Sequence, residues 1–296
     1  MANPYTVLHV RPEWALEPED MGTKTKFWYR DPDDDADWLF KHPRTGTGEH
    51  WAEKIVAEVA GLLVAPCATV QFAEWEGVQA SASKSFVSGR RELVHGNQIL
   101  KWTFSDYDPA KRFRQSEHSI ENIWRCFGAR FRRAEAAEAA KTQFAGYLVL
   151  DAVVGNTDRH HENWGVVRER RAGRWVGRLA PSFDHASSLG RELRDEKRMM
   201  RLEAGSVPAY AEKARGAIYL GGSTGRGPSP LDLVRGSMPT IGRYFRAPLE
   251  RLSSLRDSDV GEIMDRIPAG WMSTPAKEFA ASLIRYNRDR LLELLR

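Results

Sequence analysis

The first ninety residues show the short hydrophobic runs of β-strands around one amphipathic helix. Strands are predicted at residues 5–10, 26–29, 38–41, 68–73 and 78–87, because these runs are rich in aromatic and β-branched residues. An acidic stretch at 31–37 predicts a turn between the second and third strands. In residues 49–63 the apolar side chains Trp51, Ile55, Val59 and Leu62 recur at helical spacing, and Pro66 follows. This pattern predicts a helix that ends before the proline.

From about residue 116 the pattern becomes helical. An alanine-rich stretch at 131–150 predicts a helix, and the runs 164–167 and 174–179 predict a hairpin around Ala172 and Gly173. Residues 221–230 are rich in Gly, Pro and Ser, which indicates a mobile loop, and amphipathic helices follow, the last at about 275–295. The chain therefore predicts an α+β fold of two lobes: a small β-rich N-lobe over 1–95 and a larger helical C-lobe over 96–296.

Composition narrows the class of protein. The chain has 296 residues, of which 42% are hydrophobic and 28% charged, and its longest clean apolar run, 144–150, is far too short to span a membrane. No signal peptide is visible, and two cysteines form neither a disulfide framework nor a zinc motif. These features predict a cytoplasmic protein without a membrane partner.

The net charge of +4 is modest, but arginines cluster at 125–133 and at 168–178. Such runs are typical of solvated surfaces, and contact with an anionic substrate is the alternative. A net charge this small is not that of a dedicated nucleic-acid binder, so we expect nucleic-acid contact to be indirect at most.

The segment 151–163, DAVVGNTDRHHEN, carries the clearest chemistry. Asp158 and Asn163 lie five residues apart, and Asp184 follows the predicted hairpin. Phosphoryl transfer needs a carboxylate near the attacking hydroxyl and two oxygen ligands for magnesium, and kinase-type sites supply them in this order. Lys41 ends a predicted strand just before the helix, where such sites keep a phosphate-binding lysine, and Gly22 lies in a turn where a phosphate-covering loop belongs.

Each of these residues also has a local explanation. Asp158 could form a turn or cap, Asp184 could cap the next element, and Lys41 could be a surface strand residue. His160 and His161 suggest a metal, but they are adjacent and lack the spacing of a zinc motif. The conjunction of the residues in one order is what favours the kinase interpretation.

The chain resembles the HipA-like serine/threonine kinase family in the segments WLFKHP, GEHWAEKIVAEVAGLL, GNTDRHHEN and SFDHASSLG. The resemblance extends from about Gly22 to the end. It implies a two-lobed fold related to protein kinases and phosphoinositide kinases. It also implies that Asp158 is the catalytic aspartate, that Asn163 and Asp184 are magnesium ligands, and that Lys41 reaches the α- and β-phosphates of ATP.

The resemblance further implies a nucleotide-binding frame. The loop 21–26, with Gly22, Thr23 and Lys24, corresponds to the phosphate-binding loop, and residues 85–87, with Phe86 at the centre, to the connector beside the adenine. Three glutamates of the predicted helix are candidates to pair with Lys41, namely Glu49, Glu53 and Glu58. We favour Glu53, because Glu58 falls on the apolar face.

The function implied by the resemblance is transfer of the γ-phosphoryl group of ATP, with Mg²⁺, to a protein serine or threonine. An aminoacyl-tRNA synthetase is one acceptor that the resemblance suggests, and an antitoxin is a candidate partner, as in a toxin–antitoxin pair. Two alternatives stay open: a small-molecule or phosphoinositide kinase on the same fold, and a kinase-fold protein that binds without catalysis.

Overall fold

The computed structural model describes residues 3–18, 25–223 and 225–296. Its N-terminal part is a six-stranded sheet with strand order β1-β5-β6-β4-β3-β2. All pairs are antiparallel except β1 with β5. The elements of this part are β1 (Val7–His9), β2 (Ala15–Pro18), β3 (Lys26–Asp31), β4 (Ala36–Lys41), α1 (Glu49–Leu62), β5 (Val70–Trp75) and β6 (Val78–Lys84), with a 3₁₀ turn at Pro12–Trp14.

Helix α1 confirms the predicted amphipathic helix. Trp51, Ile55 and Val59 are buried, as their helical spacing requires, and the helix packs against β5 and β6. Leu62, the last residue of the helix, is 44% exposed, unlike the prediction. The sheet places the end of β4 beside this helix, and Lys26 at the start of β3 lies opposite Lys41 at the end of β4. The helix and sheet thereby fix where the Lys41 side chain leaves the sheet.

The C-terminal part is mostly helical and contains a three-stranded sheet of order β7-β8-β9. The elements are β7 (Arg91–His95), α2 (Gly96–Thr103), α3 (Ile120–Arg130), α4 (Ala134–Val154), β8 (Gly165–Arg171), β9 (Arg174–Leu179), α5 (Asp195–Glu203), α6 (Val207–Lys213), α7 (Pro230–Leu252), α8 (Asp257–Asp265) and α9 (Thr274–Leu292), with a closing 3₁₀ turn at Glu293–Leu295. Strand β7 precedes the expected lobe boundary at residue 95 but pairs with β8. The boundary stays a prediction.

Helix α4 forms the centre of the helical part. Apart from Asp151, the part of the helix from Phe144 onward is apolar on every side, and the helix packs against α3, α7 and α9, as expected for a helix that is hydrophobic nearly all round. It ends at Gly155, whose φ of 67° lies in the left-handed region that glycine adopts at low cost. The chain leaves α4 there and enters the segment that carries Asp158.

The arrangement confirms the predicted α+β class, with a sheet-rich first part and a helical second part.

Helix α7 is irregular, because it contains Pro239 and Pro248 and continues past a non-helical Ile241, where φ is −131°. Proline removes a helical hydrogen bond, and a local kink is its usual consequence. Within the described residues, no helix combines the length and apolarity needed to cross a membrane.

Candidate active site

A cleft of about 850 Å³ lies between the N-terminal sheet and the helical part. Lys41, Phe86, Asp158, Asn163 and Asp184 all line it. The structure thus brings together five of the residues that the sequence identifies as functional, although they are far apart in the chain. A cleft of this size is within the range of small-molecule sites.

Lys41 is held from two sides by carboxylates. Its Nζ donates to Oε1 of Glu53 at 2.9 Å and to Oδ1 of Asp184 at 3.4 Å. Burial lowers the pKa of Lys41, but the charges of Glu53 and Asp184 outweigh that effect and raise the pKa above its usual value. The ammonium is therefore charged at any physiological pH and is fixed in the cleft. Of the three candidate glutamates, Glu53 is the one that contacts Lys41, whereas Glu58 pairs with Lys54.

Glu53 also connects α1 to the segment of Asp184. Its side chain is 1% exposed, and its Oε2 accepts a hydrogen bond from the backbone N–H of His185 at 3.1 Å. Asp184 has a φ of 58°, in the left-handed region that a residue with a side chain rarely adopts. Such a conformation persists only where the surroundings enforce it. The bonds of Glu53 to Lys41 and to the backbone of His185 are two contacts that hold the chain here.

The candidate catalytic segment, residues 156–163, is organised by its own side chains. Oδ1 of Asn156 accepts from the backbone N–H of Asp158 at 3.1 Å, and Nδ2 of Asn163 donates to the carbonyl oxygen of Asp158 at 2.7 Å. Since the amide nitrogen of Asn163 is committed to that carbonyl, Oδ1 is the atom left to coordinate a cation. Asp158 lies half-buried in the cleft between these two asparagines.

A buried ion pair under this segment was missed by the sequence reasoning. Arg159 donates through Nε and Nη2 to both oxygens of Asp151, at 2.7 and 2.6 Å, and through Nη1 to the carbonyl oxygens of Asn163 and Phe183. One guanidinium therefore joins α4, the catalytic segment and the chain before Asp184. Asp151 stands in the apolar run LVLDAVV, and a carboxylate in such a run is a signal for a buried partner.

A second set of contacts that the sequence did not reveal lies at the start of α1. Glu49 accepts from the guanidinium groups of Arg44, at 3.2 Å, and of Arg191. Arg191 also accepts a hydrogen bond at its carbonyl oxygen from the backbone N–H of Gly48 at 2.8 Å. These bonds tie α1 to the segment after Asp184, and both arginines line the cleft.

The side of the cleft expected to hold the adenine is apolar. Leu39, Ala68, Leu93 and Phe183 line it together with Phe86. The rings of Phe86 and Phe183 lie 5.5 Å apart. Ser85 donates through Oγ to the carbonyl oxygen of Val87 at 2.8 Å, which shapes the connector.

The predicted phosphate-binding residues Gly22, Thr23 and Lys24 lie outside the described residues. The chain is described again from Thr25, whose carbonyl oxygen accepts from the backbone N–H of His42 at 3.2 Å. The next residue, Lys26, lines the cleft. The end of the predicted loop therefore reaches the cleft beside Lys41, while the role of the loop stays a prediction.

The oxygen donors of the cleft suit magnesium. Mg²⁺ in nucleotide sites takes one or two protein oxygens and completes its shell with phosphates and water. Oδ1 of Asn163 and the carboxylate of Asp184 are oxygen donors of this kind on one wall of the cleft. The residues present therefore fit Mg²⁺ bound together with a nucleotide.

Two solved structures share this fold. The proinflammatory kinase CtkA of Helicobacter pylori is 18% identical, with a TM-score of 0.75 over 91% of this chain and 92% of CtkA. HipA of Shewanella oneidensis, solved with HipB and operator DNA as a toxin–antitoxin system, is 15% identical, with a TM-score of 0.54 over 95% of this chain and 62% of HipA. At these identities the likeness concerns the fold.

The sequence itself carries the family assignment. No curated protein matches the chain. Residues 20–220, however, match the HipA-like C-terminal domain, and this range contains Lys41, Glu53, Asp158, Asn163 and Asp184. Since the match covers more than half of the chain and includes all the charged residues that line the cleft, the chain belongs to the family of HipA-like C-terminal domains.

Proposed function

We propose that this protein is an ATP- and Mg²⁺-dependent kinase that phosphorylates serine or threonine residues of a protein. The family and the fold support a kinase-type function. The observation that carries the proposal is the convergence of Lys41, Asp158, Asn163 and Asp184 on one cleft, with Lys41 fixed by Glu53.

In this proposal each residue acts on a defined atom. Lys41 would donate to the α- and β-phosphate oxygens of ATP, and Asn163 and Asp184 would hold Mg²⁺. When bound, Mg²⁺ would supply positive charge beside the phosphate oxygens. The carboxylate of Asp158 orients the acceptor hydroxyl and accepts its proton while the new O–P bond forms and the bond to ADP breaks. Charge stabilisation of this kind is commonly the largest contribution to such catalysis.

The partner is part of the proposal. HipA of Shewanella oneidensis is described in complex with HipB, and this likeness supports a search for an antitoxin-type partner. Because the chain spans only 62% of that HipA, the contacts of such a partner are to be found by experiment.

The test of the acceptor is phosphoproteomics after controlled expression of the wild type and of Asp158→Asn. The proposal predicts serine or threonine sites that gain phosphate only with the wild type. Asp158→Asn is the matched control, because asparagine has nearly the same shape as aspartate. If no protein site depends on Asp158 while a lipid or metabolite fraction gains phosphate, the acceptor is a small molecule and the protein-kinase proposal is wrong.

A further inference from the structure

A second cavity, of about 390 Å³, lies beside the catalytic segment in the helical part. It is bounded by the end of α4, helices α5 and α6, the first turn of α7, and α9. Thr157, Ser187 and Arg191 line both this second cavity and the cleft. Because Thr157 directly precedes Asp158, a chain that presents a hydroxyl to Asp158 has the second cavity next to it.

The second cavity has an excess of positive charge. Arg201 and Lys213 line it together with Arg191, whose guanidinium already pairs with Glu49, and the single carboxylate in the lining is that of Glu192. That carboxylate already accepts from the hydroxyl of Tyr210 at 2.7 Å. The guanidinium of Arg201 lies over the Tyr210 ring, 5.3 Å from its centre, and within the described ranges no carboxylate pairs with Arg201 or Lys213. A concave site with uncompensated cations attracts an anion.

An unpaired hydrogen-bond acceptor lies in the wall of the same cavity. Asn287 of α9 is 1% exposed, and its Nδ2 donates to the carbonyl oxygen of Val153 at 3.1 Å. Its Oδ1 is buried and finds no donor among the residues described. Buried polar atoms without a partner are costly and uncommon. Because Asn287 lines the second cavity, an occupant that carries a hydrogen-bond donor can satisfy this oxygen.

We infer that the second cavity binds an acidic side chain of the acceptor polypeptide, close to the serine or threonine that Asp158 activates; this inference rests on the kinase function proposed above. Arg201 and Lys213 pair with the carboxylate, and Oδ1 of Asn287 accepts a main-chain N–H. A polypeptide supplies both a carboxylate and a main-chain N–H, and it can pass from the cleft into the second cavity along the wall that the two share. A free ion does neither.

Oriented peptide arrays test the inference. Each peptide has a central serine or threonine and carries Asp, Ala or Lys at one of the flanking positions, and phosphorylation is measured with Mg²⁺ and ATP. For the wild type we expect at least about a tenfold preference for Asp over Lys at one or two positions, the effect of a charge-assisted hydrogen bond. A wild type that phosphorylates peptides without acidic preference contradicts the inference and leaves the kinase function intact.

Two variants link the preference to the second cavity. In Arg201→Ala/Lys213→Ala the preference should fall below about twofold, through a higher KM at unchanged kcat, because the cations bind the acceptor and do not touch the γ-phosphate. Arg215→Ala removes an exposed cation that lines neither cavity and should behave as the wild type. A double variant that keeps the acidic preference overturns the assignment.

Binding without catalysis gives an independent readout. A fluorescent peptide with the preferred acidic residue, but with Ala in place of the acceptor, should bind the wild type at least about tenfold more tightly than the double variant in an anisotropy titration. Equal affinities of the wild type and the double variant for this peptide would mean that the acidic residue binds elsewhere, against the inference. Absence of any ATP-dependent phosphorylation by the wild type contradicts the kinase function itself.

Discussion

Replacing Glu53 by Gln tests whether the geometry around Lys41 matters for catalysis. The carboxylate makes two bonds, to Nζ of Lys41 at 2.9 Å and to the backbone N–H of His185 at 3.1 Å. Glutamine has the same shape but only one acceptor oxygen, so one of these two donors must face an amide N–H. Lys41 then keeps only the carboxylate of Asp184, at 3.4 Å, and is drawn toward a proposed magnesium ligand.

The size of the effect follows from the bonds that are lost. A hydrogen bond to a charged group contributes about 1.5–3 kcal/mol, and each 1.4 kcal/mol is a factor of ten. We therefore expect kcat/KM of Glu53→Gln to fall by about 10- to 150-fold. The assay is transfer of labelled γ-phosphate from ATP at varied ATP concentration, with thermal unfolding to verify that the variant is folded.

Glu58→Gln is the matched control. Glu58 lies on the same helix and pairs with a lysine, Lys54, at 2.6 Å, but neither residue lines the cleft. We expect its kcat/KM to stay within about twofold of the wild type, since the change removes a comparable ion pair away from the site. Equal, small effects of Glu53→Gln and Glu58→Gln in folded protein would refute the role given to the Lys41–Glu53 pair.

Three further predictions concern the metal, stability and pH. A non-hydrolysable ATP analogue should bind at least about tenfold more weakly in chelator than with Mg²⁺ by calorimetry, because Asn163 and Asp184 are the proposed ligands of the cation; equal affinities would contradict this. Asp151→Asn should lower the free energy of unfolding by about 3–5 kcal/mol in denaturant titrations, since Arg159 stays buried without its counter-charge; a loss below about 1 kcal/mol would count against it. His118, just before α3, is buried, and its Nε2 accepts from Nε1 of Trp164 at 3.0 Å. Burial lowers its pKa from 6.5 to about 3. The unfolded chain therefore binds more protons between these values, and stability should fall from pH 6.5 downward by up to about 1.4 kcal/mol per pH unit. A His118→Gln variant with the same slope would contradict that last prediction.

Local pattern explains why so much of the fold could be predicted. The spacing of Trp51, Ile55 and Val59 requires a helix wherever an apolar surface is available, and α1 forms at Glu49–Leu62. Strand β7 and helix α2 escaped prediction because Arg91–His95 is a short polar run and α2 has only eight residues. Strand β7 exists because β8 offers it hydrogen bonds, and such pairing has no local signal.

The candidate site likewise has residues that the sequence predicts and contacts that it does not. Asp158, Asn163 and Asp184 stand out because kinase chemistry needs these residue types in this order, although their roles stay predictions. Contacts between distant segments could not be predicted in this way: Asp151 beneath Arg159 depends on how α4 packs against the catalytic segment. The second cavity is a further case, because it is formed by residues from five helices and the intervening segments, and no spacing in the sequence links them.

Transfer of labelled γ-phosphate by the wild type and by Asp158→Asn, with nucleotide affinity measured in parallel, tests the central claim most directly. The account predicts transfer by the wild type and a loss of at least about a hundredfold in the variant, since the variant lacks the group proposed to accept the hydroxyl proton. Affinity for the Mg²⁺–ATP analogue should change by less than about threefold, because the proposed role of Asp158 is at the acceptor. An Asp158→Asn variant that transfers phosphate at the wild-type rate would contradict the account.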